Sequence, residues 1–159
     1  MKFNKAIKNL FIVLFSTLLI SACSTAKKEN VDTVDDVYTG TDTVEFLAKG
    51  VPDRIFFATN KSKLTTASRD TLRKQATWMR KNKDVTVTVE GHADERGTRE
   101  YNLALGERRA NAAKDYLMTY GVSGKRISVI SYGKERPVNP ASSPLAWSQN
   151  RRSVTVKAN

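Results

Sequence analysis

The stretch Val85–Tyr120, VTVTVEGHADERGTREYNLALGERRANAAKDYLMTY, constrains this chain most. Val85, Val87 and Val89 alternate with Thr86, Thr88 and Glu90, the period of a half-buried strand. Gly91 to Gly97 is a polar loop, and Thr98 is a capping residue set before a long apolar stripe. With Leu105 as zero and about 100° per residue, Tyr101, Ala112, Tyr116 and Tyr120 fall within roughly 60° of it. Arg109 lies in the same sector, at roughly 40°. A guanidinium inside a core-facing stripe needs an anion, because a buried unpaired charge is costly. Asp94, in the loop that feeds the helix, is the nearest candidate in sequence.

Two readings of that pair stand side by side. Arg109 and Asp94 can be a structural bridge between helix and loop. They can instead be a split pair at the mouth of a groove, with Arg109 taking a ligand carboxylate and Asp94 a ligand ammonium. The planar fork of arginine matches a carboxylate. The pattern alone does not choose between them.

The N-terminus reads as an export signal. Lys2, Lys5 and Lys8 precede an apolar run, Leu10 to Ile20, broken only by Ser16 and Thr17. Small residues Ser21 and Ala22 lead to Cys23, the only cysteine. The apolar run is too short to span a bilayer comfortably. Ile20-Ser21-Ala22-Cys23 resembles a bacterial lipoprotein signal over residues 1–22, with Cys23 as the lipidated new N-terminus. That implies a membrane anchor of several acyl chains, since one chain holds weakly. Ser24 follows the cysteine where an Asp would retain the protein at the inner membrane, so the analogy implies the outer membrane. Residues 23–50 then read as the lipidated terminus and a flexible tether. Ser24–Gly50 carries three lysines against six acids and no long apolar period.

Residues 51–159 form one ordinary domain without a disulfide. They carry 21 Lys or Arg against 10 Asp or Glu, so the whole net charge of +11 falls on them. Such a field favours anionic partners. An exported chain without a nucleic-acid motif points to a cell-wall polymer or an anionic membrane surface, not to nucleic acid. Arg54–Phe57 reads as a first strand, and Thr65 or Thr66 caps a helix reaching about Lys81. Ile127–Tyr132 is a third strand. Ser143-Pro144 opens a short helix, and Arg152–Lys157 is the last strand. Val on one face and Thr or Ser on the other, in the strands at Val85 and Val154, argue for helices on one side of the sheet. The expected fold class is α+β, a two-layer sandwich.

Catalytic signals are weak. His92, Asp94 and Glu95 are the one cluster whose residue types suit a metal, but a lone His without Cys is a poor zinc set. A hydrogen-bonded loop histidine is the better reading, and no metal or other cofactor is implied. No G-x-S-x-G motif or Gly-rich phosphate loop occurs. Tyr101, Tyr116 and Tyr120 read as core, with Tyr101 in the first helical turn also able to face a ligand.

The blocks GHADERGTREYNLALGERRANAAKDYL, SYGKERP and NRRSVTV strongly resemble the OmpA-like peptidoglycan-binding domain family, from about Arg54 to Val156. The resemblance implies a βαβαβ sandwich with a further strand and a non-catalytic role. It assigns Asp94 and Arg109 to diaminopimelate in the peptidoglycan stem peptide, with Arg109 on the carboxylate and Asp94 on the ammonium. Tyr101, Asn102 and Leu105 match the family's Y-N-x-x-L segment and would line the groove. Thr59 and Asn60 stand where the family commonly has an aromatic and an acidic residue, which leaves backbone amides as contacts there. Arg108, Arg151 and Arg152 also match, as scaffold or surface charge. With the lipoprotein signal, the resemblance further implies TolB and the Tol–Pal complex as partners, in envelope integrity and cell division. A metal-assisted wall hydrolase and a purely electrostatic binder of anionic envelope polymers are the alternatives.

Overall fold

The structure is a computed structural model and describes residues 36–158. The signal peptide, Cys23 and the first part of the tether lie outside those residues. In chain order the elements are β1 (Phe46–Ala48), β2 (Val51–Pro52), β3 (Arg54–Phe56), α1 (Thr66–Lys81), β4 (Val87–His92), α2 (Arg99–Thr119), β5 (Ile127–Gly133), α3 (Pro144–Asn150) and β6 (Arg152–Lys157). The hydroxyls of Thr65, Thr98 and Ser143 each accept from a backbone N–H of the first turn they cap. Pro144 sits at the first helical position of α3, where its missing N–H costs nothing.

Four strands form one sheet in the order β3-β6-β4-β5. β4 and β5 run parallel, and α2 is the crossover such a pair requires. β6 runs antiparallel to both β3 and β4. The C-terminal strand therefore fills a slot left between two strands that α1 connects. One apolar cluster joins Ile55, Phe57, Val87, Val89 and Ile127 of the sheet side to Leu72, Ala76 and Met79 of α1 and Ala110, Ala113 and Leu117 of α2. The two-layer α+β sandwich is what the sequence leads one to expect.

Two local readings shift. β4 starts at Val87, not Val85, and the Val85 carbonyl ahead of it accepts from Arg126 Nε at 2.9 Å. Tyr116 packs partly buried against the core, but the buried face of α2 is turned away from Tyr101 and Tyr120. It consists of Asn102, Leu105, Gly106, Arg109, Ala110, Ala113 and Leu117, whereas Tyr101 and Tyr120 are exposed. The cause is close packing. A Cβ on Gly91 would lie 1.8 Å from the Gly106 carbonyl oxygen, so only two glycines let β4 and α2 approach this far. Small residues thus take the sheet-facing side, and the bulky rings move to its shoulder.

The packed region begins before residue 50. The Tyr38 ring meets Phe56 edge-on, with centroids 4.7 Å apart, and Leu47 is buried. Gln149 Nε2 donates to Asp42 at 3.0 Å, and β1 pairs with β2. Residues 36–50, expected to be tether, therefore pack against the domain. Phe56 points to the opposite face from Ile55 and Phe57, and an apolar side chain there needs cover. Tyr38 supplies it without any periodic pattern that a sequence reading detects.

Candidate functional site

Residues from five parts of the chain meet at one end of the sheet. The 58–61 turn follows β3, the 93–97 loop follows β4, and Arg109 projects from α2. Arg151 precedes β6, and Asp36 comes from the segment ahead of β1. Asn60 has φ of 56°, a left-handed backbone that asparagine tolerates better than most residues. It closes a tight turn with the Lys61 N–H on the Ala58 carbonyl, 3.1 Å.

Arg109 is fully buried. Its Nε donates to the Lys61 carbonyl at 2.9 Å, Nη1 to the His92 carbonyl at 2.8 Å and Nη2 to the Ala58 carbonyl at 3.1 Å. The guanidinium carbon lies 5.2 Å from the Phe57 ring centroid. Three of its five N–H groups are used. Burial, then the charge of Arg151, lowers its pKa to about 10, so it stays cationic at neutral pH. The structural bridge to Asp94, one of the two readings of the pair, is not made, and among the described residues no carboxylate lies within 4.0 Å of Arg109. Main-chain carbonyls meet the need for a negative partner, and other arginines take Asp94.

Asp94 is 7% exposed. Arg96 binds it in a fork, Nε to Oδ1 at 3.1 Å and Nη2 to Oδ2 at 2.7 Å, and the Arg96 N–H adds a third bond at 3.1 Å. Arg151 Nη1 donates to Oδ2 at 3.4 Å. Burial alone would raise the Asp94 pKa. The hydrogen bonds and charge of Arg96, with the bond from Arg151, outweigh it and hold the carboxyl below its ordinary range.

The loop that carries Asp94 is pinned from several sides. Trp147 Nε1 and the Ser142 hydroxyl donate to Glu95 at 2.8 and 3.0 Å. Lys134 Nζ donates to the Gly97 carbonyl at 2.7 Å, and the Arg96 guanidinium stacks 4.3 Å from the Trp147 ring centroid. Asn102 is buried and donates from Nδ2 to the Arg96 carbonyl at 2.8 Å. It holds the loop from inside. Leu105 belongs to the buried face of α2, while Tyr101 is exposed at the helix start. Thr59 lies at the centre: its hydroxyl accepts from Arg96 at 3.3 Å and its N–H donates to Asp36 at 2.7 Å.

His92 does not join Asp94 and Glu95 in a metal set, and among the described residues no group of three such side chains could hold a metal. Its ring is buried and neither nitrogen is within hydrogen-bond distance of a partner, the Glu90 carboxylate standing 3.6 Å from Nε2, which corrects the hydrogen-bonded reading. Burial, then the charges of Arg152, Arg136 and Arg54, lowers its pKa to about 3. It is neutral at pH 7.

Residues 56–151 match the OmpA family model. The chain belongs to the OmpA family. It is 45% identical over 150 residues to a protein of Mesorhizobium japonicum named peptidoglycan-associated lipoprotein, covering 91% of this chain and 89% of that one. A protein of the same name from Brucella melitensis is 44% identical over the same shares. The crystal structure of the peptidoglycan-associated lipoprotein from Burkholderia pseudomallei superposes with a TM-score of 0.65. It has 32% identity and covers 67% of this chain and 90% of that one. The C-terminal domain of Helicobacter pylori MotB, at 23% identity, shares the fold with a TM-score of 0.63, over 67% of this chain and 84% of that one.

The OmpA-family match contains Asp94, Arg96, Arg109 and Arg151, but not Asp36. Arg96 and Arg151 were not singled out from the sequence as site residues. Arg96 sits two positions after Asp94, close enough for its own N–H and side chain to reach the same carboxylate. Arg151 is 3% exposed, and only the return of the chain into β6 brings it to Asp94. The NRRSVTV block marks it only as scaffold or surface charge.

Proposed function

We propose that this chain is an outer-membrane lipoprotein that holds peptidoglycan noncovalently through diaminopimelate, and so links the outer membrane to the cell wall. Cys23 carries the lipid, and the domain faces the periplasm. Asp94 takes the ammonium of one amino-acid centre. Arg109, with two N–H groups to spare, takes its carboxylate. The observation that carries this reading is the presence, at one end of the sheet, of a buried, ionised aspartate and a buried arginine that has no carboxylate partner among the described residues. The charges of such a site are the mirror of an amino acid's own. The relatives named peptidoglycan-associated lipoprotein support the wall as the source of that ligand. TolB and the Tol–Pal complex are the partners this reading entails. Binding, not catalysis, is the role, and a histidine held neutral by burial supports that, since it is a poor proton carrier at pH 7.

Co-sedimentation of the full-length chain, in detergent micelles, with insoluble peptidoglycan tests the reading. The expected result is binding that free diaminopimelate competes away and that Asp94→Asn abolishes with the fold intact by circular dichroism. Unchanged binding by the variant, with no competition, would overturn it. The +11 charge favours a second reading, a general binder of anionic envelope polymers. Binding of that kind collapses as salt rises and ignores Asp94.

A further inference from the structure

We propose that Asp36 is a built-in competitor for the carboxylate of the ligand, so that the segment ahead of β1 must leave the site before a ligand is held there. The inference rests on the zwitterionic ligand proposed above and concerns its regulation.

The geometry carries it. Asp36 Oδ2 accepts the Thr59 N–H at 2.7 Å and lies 3.5 Å from Arg151 Nη2. Arg151 also donates to the Asp36 main-chain carbonyl and to Asp94, so one guanidinium touches both acids. The negative charge of Asp36 acts on Arg96 and Arg109 as well. A ligand carboxylate that reached the Thr59 N–H and Arg151 on its way to Arg109 would have to displace Asp36 from both. The complementary half is filled too: the Arg96 cation lies on Asp94, where a ligand ammonium would go. Asp36 and Arg96 together reproduce, in the empty site, the two opposite charges of an amino-acid centre.

The contact is built to be displaced. Asp36 Oδ1 is buried without a hydrogen-bond partner, which weakens the hold. Tyr38, two residues on, anchors the segment to Phe56 and keeps the carboxylate near whether bound or released. A tethered group competes at an effective concentration of about millimolar. A simple carboxylate gains only what Asp36 already has, and loses that competition. A ligand with ammonium and carboxylate on one carbon displaces both at once, Arg96 from Asp94 and Asp36 from Thr59, and wins. The latch therefore excludes plain anions from this one site of a strongly basic domain.

The test compares wild type, Asp36→Asn and Asp36→Ala as full-length chains in detergent micelles, with folding checked by circular dichroism. Hydrogen exchange at the Thr59 amide reads the latch without any ligand, and calorimetry with free diaminopimelate and with acetate reads its consequence. The expected result is a protected Thr59 amide in wild type and faster exchange in both variants. A latch closed about nine-tenths of the time predicts about tenfold tighter diaminopimelate binding once it is removed, together with new, weak acetate binding. Unchanged Thr59 exchange, or unchanged diaminopimelate affinity in a wild type that binds it, overturns the latch. If no form binds diaminopimelate, the ligand reading fails by itself. Acetate then decides: binding to the variants alone supports the latch, and binding to none overturns it.

Discussion

Arg109 donates to the main-chain carbonyl of His92 over 2.8 Å, and this bond fastens α2 to the last residue of β4. Its other two arms fasten the 58–61 turn. One buried cation thus sets the relative positions of three segments that carry site residues. Lysine cannot reproduce the fork, because its ammonium reaches fewer of three carbonyls set in different directions. Arg109→Lys is expected to cost about 2–4 kcal/mol of stability through unpaired buried carbonyls. Urea unfolding measures it, and a loss below half a kcal/mol would show that the carbonyl bonds do not organise the site.

The approach of β4 to α2 depends on Gly91 and Gly106. Gly91→Ala would bring a methyl to 1.8 Å from a backbone oxygen, which no side-chain rotation relieves. Gly106→Ala meets the Ser131 hydroxyl at 2.3 Å and the Gly91 oxygen at 2.9 Å. Gly91→Ala should destabilise by about 3 kcal/mol or more, at the upper end for overpacking. Thermal melts of both variants are expected to rank Gly91→Ala as the worse. The reverse order would contradict the packing described.

His92 makes stability depend on pH. Its pKa drops from 6.5 to about 3 on folding. Above 6.5 neither state binds the proton. Between the two values the unfolded chain binds it and the folded one does not, so stability falls as pH falls. The loss amounts to a few kcal/mol by the lower end of that window. Unfolding midpoints measured from pH 7 to pH 4 should decline, and His92→Leu should flatten that decline. An equal slope in the variant would assign the effect to other groups.

Wall binding should change little with pH between 8 and 5. Asp94 lies below its ordinary value of 3.8 and Arg109 near 10, so both keep their charges across that range. Binding is expected to fall only under more acid conditions, as Asp94 takes up its proton. Buried charges are also screened less than exposed ones, so most of the binding should survive a rise from 0.1 M to 0.5 M salt. Co-sedimentation across pH and salt gives both answers. A steep loss with salt would point to the exposed basic residues instead.

Much of the scaffold is legible in local sequence. Thr65, Thr98 and Ser143-Pro144 mark helix starts because caps act within one turn. Gly121, at φ of 82°, marks the end of α2 for the same kind of reason. The alternation in Arg152–Lys157 marks a strand. Tyr116 packs partly buried against the core, as its spacing suggests. Tyr101 and Tyr120 mislead, because an aromatic at helical spacing looks like core whether or not smaller residues beside it pack closer; the Tyr120 ring pairs with Tyr116 at 5.0 Å. Arg109 in the stripe correctly signals a buried cation, but its partners are carbonyls, which carry no side-chain signature.

The sequence by itself determined the order and type of the elements from β3 to β6, the basic character of residues 51–159 and the presence of Asp94 and Arg109 in one strand–loop–helix unit. These are short-range properties, set by periodicity, capping and charge. The tertiary structure alone decided that Arg109 binds the carbonyls of Ala58, Lys61 and His92, that Arg96 and Arg151 share Asp94, and that Asp36 reaches Thr59. Each of the last contacts depends on chain segments brought together by β6 entering between β3 and β4 and by the 36–50 segment packing against the sheet. Such meetings are fixed by the packing of the whole domain, and no window of neighbouring residues encodes them.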